Sequence, residues 1–182
     1  MSFSNSQLIF DSQQMAIHIN RLADEILSLG WDDFILVGIV TGGAVLAEVM
    51  ADSIAHKNGR RPEVYKIDIT LYRDDLYTGF EKLSLGESEL PLSINGVNII
   101  LVDDVLFTGR TVRAALQVIY DYGRPNCIRL LTLIDRGHRE LPIQADFIGA
   151  CISSNKTDKV VVEVYQNNEK EDSVFLLPIQ TK

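Results

Sequence analysis

The sequence predicts an α/β fold in which a central, mostly parallel sheet is flanked by helices. Short apolar runs without polar alternation, such as Phe34 to Val40, are typical of strands buried on both faces of a sheet. These runs alternate with segments of helical periodicity, and such alternation favours parallel strands joined by helices. Because the chain has 182 residues, 46% of them hydrophobic, we expect one domain over residues 1–182.

The first half of the chain is expected to begin with a helix from Asp11 to Leu29. Asp11 and Gln14 can form a capping box at its start, apolar residues recur at helical spacing, and Gly30 ends it. The elements predicted next are a strand over residues 34–40, a helix over 44–56 and a strand over 64–70.

The second half is expected to contain two further strands, a helix and a C-terminal β-hairpin. The predicted ranges are a strand over 97–103, a helix over 111–122, a strand over 128–135 and hairpin strands over 160–165 and 174–177. The segment 75–96 between the two halves is polar, contains glycine and proline, and lacks periodicity. A connection this long in a compact domain is usually a lid, a binding loop or a disordered segment.

Composition excludes several classes of protein. Lys plus Arg is 17 and Asp plus Glu is 25, giving a net charge of −8, which argues against broad, sequence-independent nucleic-acid binding. No apolar run approaches the roughly 18 residues of a membrane span, and the first ten residues lack the features of a signal peptide. We therefore expect a cytoplasmic protein without a membrane partner, in which Cys127 and Cys151 are buried, reduced thiols.

One motif joins two acidic side chains, which repel phosphate groups, to a turn of the kind that attracts them. The apolar strand ends in Asp103 and Asp104, and a turn at Thr108 to Thr111 then leads into a helix. A Walker B strand is a poor explanation because the chain has no GxxxxGK[ST] loop, and the order of elements fits the acidic pocket of a receiver domain badly. A purely structural role, with the acids capping nearby backbone, remains open for the two carboxylates taken alone.

The turn after the strand favours a phosphorylated ligand. Small and hydroxyl side chains with free backbone N–H groups at a helix N-terminus bind phosphate through geometry and the helix dipole. A ribose 5-phosphate suits both halves of the motif: its phosphate fits Thr108 to Thr111, and its hydroxyls can donate to Asp103 and Asp104. The turns after the other strands, at residues 41–43 and 135–139, should converge on the same rim of the sheet.

The stretch ILVDDVLFTGRT, residues 100–111, resembles the 5-phosphoribosyl-1-pyrophosphate (PRPP) signature of the type I phosphoribosyltransferases. The segments DITLYRDDL (68–76), TGRTVRAAL (108–116) and DRGHRELPIQADFIG (135–149) resemble a branch of that family that regulates pyrimidine operons and acts as uracil phosphoribosyltransferase. The resemblance covers most of the chain. It implies the type I phosphoribosyltransferase fold, PRPP and uracil as substrates, UMP and pyrophosphate as products, and a homodimer or homotetramer. It also implies that residues 75–96 form a flexible active-site loop that closes over bound PRPP and excludes water.

The resemblance also implies the residues of the active site. Asp103 and Asp104 are the catalytic candidates, with Asp104 as a general base or a stabiliser of a cationic transition state; anchoring of the ribose alone is the alternative. Magnesium would be held mainly through the pyrophosphate and the ribose hydroxyls. The residues implied to bind PRPP or nucleotide are Thr41, Gly42, Gly43, Arg73, Asp103, Asp104, Val105, Leu106, Phe107, Thr108, Gly109, Arg110, Thr111, Arg136 and Val160.

Position 42 departs from the family pattern. The turn that would hold pyrophosphate reads Thr41-Gly42-Gly43, whereas the family usually reads Thr-Arg-Gly. Gly42 supplies no cation, and a lost charge-assisted contact is worth about 1.5–3 kcal/mol. We therefore expect weakened PRPP binding or slow turnover. Outside the resemblance, these three residues would be interpreted as a simple turn from strand to helix.

The family resemblance implies a second function, the binding of an RNA hairpin in pyrimidine-operon message with UMP or UTP as effector. The basic side chains implied for RNA contact are His18, Arg21, His138 and Arg139, and Lys156 and Lys159 could extend their patch. Asp24 and Glu25 in the first helix weaken this interpretation. Two alternatives to a uracil enzyme therefore remain: an RNA-binding attenuator that senses UMP or UTP with little or no catalysis, and a phosphoribosyltransferase for another base.

Overall fold

A computed structural model of the chain describes residues 6–72, 89–165 and 171–178. The helices in these ranges are α1 (Ser12–Leu27), α2 (Gly42–Asn58) and α3 (Arg110–Asp121). The strands are β1 (Gln7–Phe10), β2 (Ile35–Ile39), β3 (Glu63–Ile67), β4 (Asn98–Leu106), β5 (Cys127–Asp135), β6 (Phe147–Cys151), β7 (Lys159–Glu163) and β8 (Ser173–Leu177). A turn of 3-10 helix, Thr70–Tyr72, follows β3.

The central sheet of the described chain has five strands in the order β3-β2-β4-β5-β6, and every pair in it is parallel. Neighbouring side chains of β4 point to opposite faces: Ile100 packs with the buried residues of α1 and α2, and Leu101 packs with those of α3. Burial on both faces is the reason why the strand is an unbroken apolar run. The predicted parallel sheet flanked by helices is confirmed.

A second, antiparallel sheet has the order β1-β8-β7. The predicted C-terminal hairpin is confirmed as β7 and β8, with Val160 opposite Leu176. Two strands were not predicted: β1, which pairs with β8, and β6, which forms one edge of the central sheet. Each has only four or five residues, too short for a pattern of alternation to stand out.

The predicted end of β4 is wrong by three residues. Pairing with β2 stops at Val102, but pairing with β5 continues to Leu106, which lies opposite Asp135. Asp103 and Asp104 therefore lie within the strand and not at its end. Strand β3 ends at Ile67, three residues earlier than predicted. The chain leaves the sheet there because the Asp68 side chain accepts a hydrogen bond from the Thr70 backbone N–H at 2.8 Å and starts the 3-10 turn.

The start of α1 agrees with the sequence in detail. Asp11 accepts from the backbone N–H of Gln14 at 2.8 Å, and the Gln14 side chain accepts from the backbone N–H of Asp11 at 3.1 Å, so the predicted capping box is present. The expected burial of the cysteines is wrong for Cys151, which is exposed at the end of edge strand β6, while Cys127 is partly buried. Both are free thiols.

The segment predicted as an active-site loop lies largely outside the described residues, which resume at Glu89. The backbone N–H of Glu89 donates to the carbonyl of Lys66 at 2.8 Å, so the described end of that segment runs beside β3. In the described ranges, the helices are too short or too polar to span a membrane.

Candidate functional site

A cavity of about 750 Å³ opens at the carboxyl ends of β2 and β4. The residues of the predicted site that line it are Thr41, Gly42, Asp103, Asp104, Val105 and Thr111. The structure therefore brings together the turn after β2, the acids of β4 and the start of α3. Residues that were not predicted for the active site also line it, among them Lys159, Glu163 and Tyr165 on or just after β7.

Glycines allow α2 to begin directly against the sheet. A Cβ added to Gly38 would lie 2.5 Å from the Cα of Ala44, and a Cβ on Gly43 would lie 2.3 Å from the carbonyl oxygen of Val102. Neither distance is possible for a real side chain, because both neighbours are backbone. The first turn of α2 therefore touches β2 and β4, and its N-terminal N–H groups face the cavity edge, where anions are favoured. The peptide bond between Val40 and Thr41 is cis.

The two carboxylates of β4 are held by local backbone groups. Asp103 is 5% exposed, and its carboxylate accepts from the backbone N–H of Asp104 at 3.2 Å. Asp104 accepts from the N–H of Val105 at 2.8 Å. Burial raises the pKa of Asp103 well above its ordinary value, and the charge of Asp104 raises it further. Burial also raises the pKa of Asp104, although the Val105 hydrogen bond opposes this.

Such a pair can act in two ways. As hydrogen-bond acceptors, the carboxylates can hold two neighbouring hydroxyl groups of a sugar. As a base, Asp104 takes a proton more readily than an ordinary aspartate because its pKa is raised. The geometry thus suits both the general base expected at Asp104 and the alternative, in which the two acids only anchor the ribose.

The turn between β4 and α3 has the shape of an anion site. Gly109 precedes α3 with a φ of 90°, a left-handed conformation that favours glycine. The hydroxyl of Thr108 accepts from the backbone N–H of Arg110 at 3.3 Å. The carbonyl of Thr108 accepts from the N–H groups of Glu140 and Leu141 at 3.0 and 3.2 Å, which fixes the turn from outside. Arg110 donates through Nε to Glu140 at 2.8 Å. The helix N-terminus and Thr111 remain on the cavity side.

Arg136 ties Phe107 of this motif to the loop before β7. It is 6% exposed, and its guanidinium lies 4.2 Å from the centre of the Phe107 ring. It donates to the carbonyls of Asp158 and Asn155, each at 2.7 Å, and to the Ser154 hydroxyl at 3.1 Å. These bonds leave Arg136 as a support of the site. The neighbouring Val160, which the resemblance implies to bind nucleotide, buries its side chain in the core on the α1 and α2 face of the sheet.

The four basic residues predicted for RNA contact are engaged within the chain. Arg21 donates to the carbonyls of Ile148 and Gly149 at 2.8 and 2.7 Å and pairs with Glu25. The ring of His18 packs on Phe10 with centroids 4.7 Å apart, and burial lowers its pKa, helped by the charge of Arg21.

The other two predicted RNA contacts lie beside the PRPP motif. Nε2 of His138 is 2.8 Å from the Ser154 carbonyl, and the ring meets Phe107 edge-on. Arg139 donates to the carbonyls of Phe107, Gly137 and Ile143 at 2.7, 3.0 and 3.0 Å, and it pairs with Asp135. Arg73, the remaining predicted PRPP contact, lies outside the described residues.

A larger cavity of about 940 Å³ lies at the opposite edge of the sheet, where β2, β3 and β4 begin. Its basic side chains are neutralised locally: Arg60 pairs with Asp33, and Arg61 pairs with Glu48 and Asp52. In open α/β sheets ligands bind at the carboxyl ends of the strands. The cavity at those ends is therefore the better candidate for the ligand site, although it is the smaller of the two.

Comparison with known proteins agrees with the fold and the motif. Residues 5–169 match the family described as the phosphoribosyl transferase domain. The chain is 46% identical over 173 residues to a protein of Nostoc punctiforme, covering 93% of this chain and 95% of that protein. It is 44% identical over 168 residues to a protein of Bacillus velezensis, covering 90% and 93%. Both relatives are named "Bifunctional protein PyrR".

Solved structures with a similar fold include the hypoxanthine phosphoribosyltransferase of Trypanosoma cruzi, with a TM-score of 0.69, 19% identity and coverage of 97% of this chain and 99% of that one. A hypoxanthine-guanine phosphoribosyltransferase of Bacillus anthracis superposes with a TM-score of 0.68 at 17% identity, covering 94% and 97%. At these identities the likeness concerns the fold alone.

Proposed function

The chain belongs to the phosphoribosyltransferase family, and on that premise we propose that it transfers the 5-phosphoribosyl group of PRPP to uracil, forming UMP and pyrophosphate. One observation carries the proposal: the carboxylates of β4, the start of α3 and the turn at Thr41 and Gly42 line one cavity. The relatives named PyrR and the motifs over residues 68–76 and 135–149 support uracil as the base.

Binding of PRPP would use both halves of the central motif. The 5-phosphate would lie at the N-terminus of α3, held by backbone N–H groups of the first turn and by the helix dipole. The 2- and 3-hydroxyls of the ribose would donate to Asp103 and Asp104. Holding the sugar at both ends aligns its anomeric carbon with the base, and such positioning contributes a large part of the catalysis in this type of reaction.

In the chemical step, N1 of uracil forms a bond to the anomeric carbon while the bond from that carbon to the pyrophosphate oxygen breaks. The electron pair of the broken bond leaves with pyrophosphate, and positive charge develops on the ribose ring, as in other glycosyl transfers. The N1 proton passes to the carboxylate of Asp104, whose raised pKa makes it a stronger base than an exposed aspartate. The remaining negative charge of the acid pair stabilises the cationic ring.

Magnesium is the cofactor that this reaction implies, and the acid pair suits it. Asp103 and Asp104 offer the oxygen ligands that magnesium prefers. Burial raises the pKa of both carboxyls because it disfavours their charged forms, and a bound cation would favour those forms again. The ion would be held mainly through the pyrophosphate and ribose hydroxyls, with these two residues closest. When bound, it neutralises charge on the leaving pyrophosphate.

A second proposed function is regulation of pyrimidine genes through an RNA hairpin, with UMP or UTP as effector and the chain as a homodimer or homotetramer. The name "Bifunctional protein PyrR" of the relatives favours it. The engagement of Arg21 and Arg139 within the chain and the net charge of −8 weigh against strong RNA binding. We therefore propose the enzyme as the principal function.

Pyrophosphate release tests the enzymatic proposal. The protein is incubated with PRPP, magnesium and each free base in turn, and a reaction with the metal chelated is the control. We expect release with uracil and not with hypoxanthine, guanine or adenine. Release with a purine alone would make this a phosphoribosyltransferase for another base, and no release with any base would overturn the enzymatic function. A gel shift with upstream pyrimidine-operon RNA, with and without UMP, tests the regulatory function.

A further inference from the structure

Lys159 is the first residue of β7 and lines the same cavity as Gly42 and the acids of β4. Among the described residues that line this cavity it is the one lysine or arginine, and the acidic side chains there are Asp103, Asp104 and Glu163. The walls of the cavity are therefore negatively charged, although the proposed substrate carries its largest negative charge on the pyrophosphate. Magnesium would neutralise part of this charge, and a basic side chain where the pyrophosphate binds would neutralise more of it.

Position 42 cannot supply this cation, because glycine has no side chain. The space next to Gly42 is instead taken by the carboxylate of Asp104, whose Oδ2 would lie 2.0 Å from a Cβ at that position. A pyrophosphate placed at the start of α2 would thus meet the helix N-terminus on one side and a carboxylate on the other. The helix dipole contributes only about half a charge.

Lys159 is available for a ligand. It is exposed, and no ion pair or hydrogen bond joins its side chain to another described residue. Other basic residues near the cavity differ in this respect: Lys156 pairs with Glu140, and the guanidinium of Arg136 is used by Asn155 and Asp158. Lys159 therefore differs from these two basic neighbours, whose charged groups are already bound within the protein.

The backbone of Lys159 is held in place by the same contacts. Arg136 binds the carbonyl of Asp158, the residue immediately before it, and Asp158 in turn accepts from the N–H of Asn155 at 2.7 Å. Lys159 itself lies opposite Leu177 in the hairpin. Since Arg136 also packs on Phe107, the start of β7 is fixed relative to the motif that would hold the ribose phosphate.

We propose that Lys159 binds the pyrophosphate group of PRPP and replaces the cation missing at Gly42. The inference rests on the proposed phosphoribosyl transfer for the identity of its ligand. It assigns a binding role to a side chain on the C-terminal hairpin, a part of the fold that does not belong to the PRPP motif.

Calorimetric titration of three probes tests the proposal: PRPP with magnesium, inorganic pyrophosphate with magnesium, and UMP, which has the ribose phosphate and base but no pyrophosphate. The variants are Lys159→Gln, Lys159→Arg and the control Lys57→Gln, a lysine in the last turn of α2 that pairs with Asp24 and does not line the cavity. We expect Lys159→Gln to weaken PRPP and pyrophosphate by about 10- to 100-fold, the range for a charge-assisted contact, and to leave UMP binding within about twofold. Lys159→Arg should keep most of the affinity, and Lys57→Gln all of it.

The outcomes separate this inference from the proposed function. Unchanged PRPP and pyrophosphate binding in Lys159→Gln, or an equal loss for UMP, would overturn the role of Lys159. If the wild-type protein binds PRPP in a Lys159-dependent way but releases no pyrophosphate with uracil, the inference stands and uracil transfer fails. A wild-type protein that binds neither PRPP nor pyrophosphate would overturn both. Because Lys159 is exposed, its variants should unfold at the wild-type urea concentration, which excludes a folding defect as the cause.

Discussion

The carboxylate of Asp104 fills the place of a side chain at position 42: a Cβ on Gly42 would lie 2.0 Å from its Oδ2 and 2.5 Å from its Cγ. Glycine at this position and the present orientation of Asp104 therefore depend on each other. An arginine could be accommodated only if Asp104 turned away, since the atoms in conflict are the end of a side chain and not backbone. The departure from the family pattern at position 42 thus changes the acid pair as well as the pyrophosphate turn.

A pair of substitutions at position 42 separates these two effects. Gly42→Ala adds the Cβ alone and displaces Asp104, so we expect a lower kcat. Gly42→Arg adds the same displacement and a cation, so relative to Gly42→Ala it should lower the KM for PRPP by about 10- to 100-fold, the value of one charge-assisted contact. Steady-state kinetics with uracil and PRPP give both quantities. Equal PRPP constants in the two variants would show that a cation at this position contributes nothing to PRPP binding.

Neutralising Asp104 should remove the base. Asp104→Asn keeps the shape of the side chain, and we expect kcat to fall by roughly 100- to 10,000-fold with a smaller change in PRPP affinity. In the wild type, activity should decrease as the pH is lowered, because only deprotonated Asp104 accepts the proton. Burial raises its pKa, so this decrease should begin at a higher pH than for an ordinary aspartate. Rate profiles against pH check it, and a loss confined to PRPP affinity would leave Asp104 with a role in binding alone.

The ligand-free protein should become less stable as the pH rises, owing to Asp103. Its pKa is raised by burial and by the charge of Asp104, so the folded chain holds this proton more tightly than the unfolded chain does. The stabilisation is complete below the ordinary pKa of an aspartate and is lost as the pH rises through the raised folded-state pKa. Asp103→Asn has no such proton to lose. Urea unfolding across pH should show a flatter profile for the variant and a higher stability than wild type at neutral pH, and identical profiles would contradict this.

Arg136 should stabilise the protein by holding the loop before β7, which carries one wall of the site. Arg136→Lys keeps the charge but cannot satisfy the carbonyls of Asn155 and Asp158 together, and we expect a loss of about 1–3 kcal/mol in the free energy of unfolding. Arg129→Lys is the matched control, because Arg129 forms an exposed ion pair with Asp146. That change should alter stability by less than about 1 kcal/mol. Similar losses in the two variants would argue against a structural role for Arg136.

Arg21 offers a test between RNA binding and internal support. Its guanidinium holds the carbonyls of Ile148 and Gly149 on β6, so Arg21→Ala should lower the free energy of unfolding by about 1–3 kcal/mol. Arg60→Ala, which removes an exposed arginine paired with Asp33, is the comparison. A gel shift with pyrimidine-operon RNA is measured on the same proteins. Lost RNA binding in Arg21→Ala at unchanged stability would identify this side chain as an RNA contact instead.

Much of the fold could be predicted because strands that are buried on both faces of the sheet are apolar at every position. The run from Ile99 to Val102 is apolar without interruption for that reason, and the capping box at Asp11 is a local signal that needs no tertiary contact. Strand β1 could not be predicted, since its pairing with β8 is long-range and its four residues carry little pattern. The extension of β4 to Leu106 depends on its partner β5 in the same way.

In the candidate site, too, the features carried by one continuous segment could be predicted and those that depend on long-range contacts could not. Asp103, Asp104 and Thr111 belong to one continuous motif, so their proximity follows from sequence alone. Lys159 reaches the cavity because a separate sheet packs beside the central one, and no spacing along the chain indicates this. Its position immediately before Val160 was the available signal, because successive residues of a strand face opposite sides and Val160 faces the core.

The pairing of β1 with β8 also has a consequence for how the protein is made. Gln7 leaves the ribosome long before its partner Leu176. The small sheet can therefore close only after β8 has been synthesised, even though domains generally begin to fold from their N-terminal end. Since β7 belongs to this sheet, the wall that carries Lys159 forms after the PRPP motif has been made. If Lys159 binds the pyrophosphate as proposed, a nascent chain with a finished PRPP motif would not yet hold that group.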